Sequence, residues 1–113
     1  MILPLDKPGR YSEGTTLEIG CGIVDFETSR FKGGMKVVVA GEDGAVRVFG
    51  GDTGGEVLGK MQVEKVVQVS WHGLASGVIG VLCVDQGDPE FRLWNIESGE
   101  MKRCRLAYAV GYL

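Results

Sequence analysis

Short runs in which apolar and polar residues alternate, many of the apolar ones β-branched, recur along this chain, and Gly, Asp, Asn, Ser or Pro separates them. An alternation of period two puts one set of side chains on each face of a sheet, so the pattern predicts strands. Eight are expected, in two sets of four: 21–26, 35–40, 45–49 and 56–61, then 66–71, 78–85, 90–95 and 100–106. No helix of ordinary length is predicted. The connections are short enough for antiparallel hairpins. Asp43-Gly44 fits a two-residue turn, with Gly44 free to take a positive φ and the Asp43 carboxylate able to cap its own turn's N–H groups.

The two sets are copies of one pattern. Arg47-Val48-Phe49 and Arg92-Leu93-Trp94 lie 45 positions apart, and the same shift carries Asp52-Thr53-Gly54 onto Glu97-Ser98-Gly99, Asp43 onto Asp88 and Val39 onto Val84 without a gap. Run backwards, it carries Val69 onto Val24, Trp71 onto Phe26 and Gly54 onto Gly9. About 40–45 residues holding four antiparallel strands is the period of a WD-type propeller blade. The expected fold class is therefore all-β: antiparallel four-stranded blades of a WD-repeat β-propeller, about two blades of an incomplete propeller. Residues 1–20 read as the end of a preceding blade, 21–65 and 66–109 as complete blades, and 110–113 as the start of a further strand. In that arrangement Phe49 and Trp94 pack between neighbouring blades, Asp43, Gly44 and Asp88 shape turns, and Arg47 and Arg92 point outward. The pattern departs from the WD repeat where Gly-His is missing before the first strand, where Phe49-Gly50 and Trp94-Asn95 replace Trp-Asp, and where Pro89 follows Asp88. The competing reading of such a repeat is a duplicated β-meander in a sandwich or barrel.

The glycines raise a second question. Gly54 to Lys60 matches the G-x-x-x-x-G-K spacing of a phosphate-binding P-loop. A P-loop also needs a helix after the lysine and a Ser or Thr beside it for magnesium. Met61 stands there instead, and the sequence runs on toward another strand. The repeat sets Gly54 over Gly9 and Gly99, and Lys60 over Arg105, so these glycines read as turns. Nineteen glycines in 113 residues suit that role, since the usual share is about 7%. Neither an enzyme nor a cofactor is expected.

Composition narrows the rest. A 44% hydrophobic, 24% charged chain is balanced for one globular unit. A net charge of −3 gives no basic field for nucleic acid. The longest apolar run, from Val78 to Val84, is far shorter than the roughly 20 residues of a membrane helix. The first residues lack a basic leader and a long apolar core, so no secretory signal is read and a cytoplasmic location is expected. Cys21, Cys83 and Cys104 have no C-x-x-C spacing and His72 is the only histidine, which is too few ligands for a zinc site.

Three phrases point to a family. Ile2-Leu3-Pro4-Leu5-Asp6-Lys7-Pro8-Gly9-Arg10, then Val38 to Phe49 (VVAGEDGAVRVF), then Ser70 to Ile79 (SWHGLASGVI) resemble phrases that coronins carry in the same order. Gly73 stands where the family usually has proline, and the segment from Gly50 to Lys65 is short for it. The resemblance implies a seven-bladed propeller of the cytoplasm and cytoskeleton that binds filamentous actin, of which this chain holds about two blades. Candidate partner contacts are Arg47 and Arg92, and the outer-strand cluster Lys102, Arg103 and Arg105. A cluster of that kind could steer an acidic partner such as actin. It equally suits a solvated edge strand guarded against aggregation, which is the favoured reading of those three residues. A WD-repeat scaffold unrelated to actin fits the same repeat. Because a blade buries its faces only against neighbours, two blades leave open sides, and self-association is expected.

Overall fold

A computed structural model of the protein describes residues 2–3, 15–31, 34–50, 56–72 and 77–106. Among these residues all regular structure is β. A two-stranded ladder joins β1 (Ile2–Leu3) to β2 (Thr15–Thr16). The first four-stranded sheet runs in chain order through β3 (Ile23–Phe31), β4 (Gly34–Gly41), β5 (Ala45–Gly50) and β6 (Val57–Gln62). The second repeats that order with β7 (Lys65–Trp71), β8 (Val78–Asp85), β9 (Asp88–Asn95) and β10 (Met101–Arg105). Every ladder is antiparallel and joins strands consecutive in sequence.

All eight strands of the two sheets fall where the alternation places them, with one large extension. β3 runs on through Glu27 to Phe31 because β4 folds straight back on it, pairing Phe31 with Gly34. The polar run Glu27-Thr28-Ser29-Arg30 carries no apolar alternation, so hydrophobic pattern alone stops the strand early.

The turns correct the ungapped repeat. Residues 42–44 form a three-residue connection between β4 and β5, closed by the Gly44 N–H donating to the Gly41 carbonyl at 3.1 Å. Gly44 has φ 81°, and a Cβ there would collide with the Val63 carbonyl oxygen, so glycine is required. The β8–β9 connection is only Gln86-Gly87, both with positive φ (53° and 81°), as a type I′ hairpin turn demands. Asp43-Gly44 is therefore not a two-residue turn. The registers then match β5 to β9 at 45 positions, Val46 to Phe91, but β4 to β8 at 42, Ala40 to Leu82, and β3 to β7 at 43, Asp25 to Gln68.

Each sheet has one face that carries the aromatic near the end of its third strand, Phe49 or Trp94, here the aromatic face, and an opposite face. In the first sheet Val38, Ala40, Val46, Val48 and Met61 share the opposite face, which packs on the second sheet's Val69, Trp71, Ile79, Val81, Cys83 and Trp94. Trp94 lies over Gly59 of β6, where a Cβ would sit 3.1 Å from the indole ring. The first sheet's other face carries Phe49, Val37 and Val39 under Leu17, with Ile19 alongside. Phe49 and Trp94 thus face the same way along the stack, and Trp94 is the one between the two four-stranded sheets.

Where the sheets meet, β3 meets β7. The Asp25 carboxylate accepts the Val69 backbone N–H (3.0 Å) and the Glu27 carboxylate accepts that of Trp71 (2.9 Å). The Trp71 indole N–H donates to the Glu27 carbonyl at 3.1 Å. These bonds satisfy N–H groups on the side of β7 away from β8, which would otherwise be an unpaired edge.

Ile79 is wholly enclosed in the core between the sheets. Ile79→Ala is expected to lower unfolding free energy by about 2–5 kcal/mol, whereas Val67→Ala, at a half-exposed site, is expected to stay within about 0.5 kcal/mol. Urea titration followed by circular dichroism measures both.

Candidate functional site

The second sheet carries a chain of four charged side chains on its inward face. Arg92 donates from Nη2 to Asp85 Oδ2 at 2.8 Å and from Nε to Glu90 Oε1 at 3.0 Å. Arg103, across the ladder on β10, closes a two-point contact on the same Glu90, Nε to Oε1 at 3.0 Å and Nη2 to Oε2 at 2.8 Å. Alternation explains the grouping: Glu90, Arg92 and Trp94 point to one face of β9, and Arg103 stands directly opposite Arg92. Glu90 is buried, and the Arg103 guanidinium, followed by that of Arg92, pushes its carboxyl down to about 2.

The first sheet has a smaller version. Arg47 Nη2 donates to Asp43 Oδ2 at 2.8 Å, and the Ala45 N–H donates to Asp43 Oδ1 at 3.1 Å. Arg47, and then that N–H, hold the Asp43 carboxyl at about 2. The ladders make Asp85, not Asp88, the partner that corresponds to Asp43. Asp88 opens β9 and reaches only Arg105, at 3.9 Å.

Arg47 and Arg92 do not point outward. The Arg92 side chain is only 7% exposed and spends its donors on carboxylates within the sheet, and Arg47 is largely covered over its own turn. Charge at these two positions serves the fold, because a buried guanidinium is tolerable only when paired. Arg103 is half-committed to Glu90 with its side chain 53% exposed. Arg105, 71% exposed, and Lys102 on the opposite face of β10 are the cations of the cluster open to solvent.

The other chemical candidates do not assemble. Lys60 lies on a strand, not at the start of a helix, and Gly54 and Gly55 fall outside the described residues. Cys83 is buried, which raises its thiol pKa and quenches reactivity. His72 is exposed, and its backbone N–H donates to the Val78 carbonyl at 2.8 Å. Among the described residues no three His, Cys, Asp or Glu converge on one point as metal ligands, and no helix is long and apolar enough to cross a membrane. Sequence reasoning missed Glu90 and Asp85. The parity that makes Trp94 inward makes Glu90 inward too, and a carboxylate at such a position calls for cationic neighbours.

Models of known families, curated proteins and solved structures offer no match to this chain.

Two outcomes follow from the network. Both depressed carboxyls bind protons more weakly in the folded state than their ordinary values of 3.8 and 4.5. Their stabilisation is complete above about pH 4.5 and is lost as pH falls toward about 2. The urea midpoint should drop across that window, and Glu90→Gln should flatten the drop while lowering the midpoint at neutral pH. Arg92→Ala removes Asp85's guanidinium partner and one of the two that hold Glu90, which Arg103 still grips, and is expected to cost about 1–3 kcal/mol, whereas Arg105→Ala should leave the midpoint unchanged.

Proposed function

We propose that the two sheets are consecutive blades of a WD-type β-propeller resembling that of the coronins, and that the chain serves as a non-enzymatic protein-interaction module directed at filamentous actin in the cytoskeleton. The observation that carries the propeller reading is the stacking. Two four-stranded meanders lie face to face, their innermost strands β3 and β7 meet through Asp25 and Glu27, and each turns its aromatic face toward the preceding element. Leu17 and Ile19 stand over the first sheet much as Met61 and Val63 stand over the second, the place of a preceding blade's outermost strand. A stack built in one sense from a repeated unit continues by rotation, which is how a propeller closes.

The actin reading rests on the three coronin-like phrases. The exposed cations Lys102 and Arg105, with the half-exposed Arg103, offer the charge that an acidic filament would meet. Rim charges of this kind govern encounter and salt dependence more than final affinity. Arg47 and Arg92 have no share in that surface.

Co-sedimentation with filamentous actin tests the proposal. The chain is expected to pellet at low salt, and Lys102→Glu with Arg105→Glu should reduce the bound fraction several-fold while leaving the urea midpoint in place. No pelleting at low salt would remove actin and leave the WD-type scaffold reading.

A further inference from the structure

The second sheet has a face that nothing among the described residues covers. Gln68, Ser70, Gly80, Leu82, Phe91 and Leu93 share it, Phe91 is 37% exposed, and clefts of about 160 and 130 Å³ cross it. Taken ladder by ladder, these are the counterparts of Asp25, Glu27, Val38, Ala40, Val46 and Val48. That set is the face of the first sheet already seated on the second. The correspondence extends to hydrogen bonding: Asp25 and Glu27 accept β7 backbone N–H groups, and the Gln68 amide oxygen and Ser70 hydroxyl can accept in the same places.

The complementary half lies at the other end of the stack. Phe26 and Val57, on the aromatic face of the first sheet, are 50% and 52% exposed. Their counterparts in the second sheet, Val69 and Met101, pack into the core between the sheets. One end of the molecule therefore exposes one half of the contact that its middle already makes, and the other exposes the rim of the complementary half, with Val37, Val39 and Phe49 lying beneath Leu17.

We propose that this chain associates with itself head to tail, the open face of one copy's second sheet receiving the Phe26 face of the next copy's first sheet in the geometry that joins the two sheets within a copy. The occupant is a second copy because one chain carries both mates. Leu17 and Ile19 cover the middle of the incoming Phe26 face, in the place that β10 of the receiving sheet takes, so they give way on docking. The contact is heterologous and propagates to a ring or an open array according to the rotation between copies. It rests on the sheet stacking; Lys102 lines this same face, so Arg105→Glu alone separates actin contact from self-association.

Sedimentation velocity of the full chain over a range of concentrations tests this. Mass should rise with concentration beyond a dimer. Phe91→Glu and Phe26→Glu should each weaken association at least about tenfold, the effect of losing one buried anchor. Mixed together, the two variants should form a one-to-one dimer that grows no further. Gln68→Lys, at an exposed position, should weaken association by setting donors against donors, and Leu17→Asp should strengthen it. A chain that stays monomeric at every concentration overturns the proposal. So does assembly that Phe91→Glu abolishes and Phe26→Glu leaves intact, which marks a symmetric contact. Failure of the mixture to pair overturns it when both variants keep the parent circular dichroism spectrum. Where either loses that spectrum, unchanged association of Gln68→Lys does the same.

Discussion

A strand at the edge of a sheet has N–H groups that must find acceptors, and the way β7 meets that demand organises the whole molecule. Asp25 and Glu27 supply side-chain oxygens where a further strand would have supplied carbonyls. Two consequences follow. The two sheets stay separate, since a side-chain acceptor does not extend the ladder, and they stack face to face, since β3 must lie close to β7 for the carboxylates to reach. The apolar core from Val38 to Trp94 fills the space that this spacing leaves.

Much of this was legible in the sequence because strands advertise themselves by parity. Alternation located all eight strands of the two sheets, and it put Trp94 on a buried face. What it could not supply was turn length. Asp43-Gly44 and Gln86-Gly87 sit at matching hairpins, yet one connection holds three residues and the other two. A rigid shift of 45 therefore sends Val39, on the aromatic face, to Val84 on the opposite one. The outward reading of Arg47 and Arg92 failed for a related reason: arginine is usually solvated, and only the inward Asp85 and Glu90 reveal that Arg92 is held within the protein. The end of β3 was illegible because its polar run carries no apolar alternation: Glu27 bonds β7, and Thr28 to Arg30 are held in the strand by pairing with β4.

The charged groups divide by depth. On the inward face of the second sheet, Arg92 and Arg103 neutralise carboxylates that could not be buried alone, which fixes β10 against β9 without adding apolar area. Solvent-facing cations on the same outer strand are free of that duty. Arg103 and Arg105 share the inward side of β10, Arg105 at its solvent-exposed end, and Lys102 stands on the other side, so the proposed interaction surface spans both sides of the strand and costs the fold little.

The meander order of both sheets has a consequence for how the chain reaches its structure. Every ladder closes between neighbours in sequence, so each sheet can zip up with short loops and little closure entropy. Docking of the sheets is the long-range step, since Asp25 and Glu27 find partners 44 residues away. A nascent chain can therefore complete its first sheet before the second exists, and the carboxylates of β3 wait in water until β7 emerges to claim them.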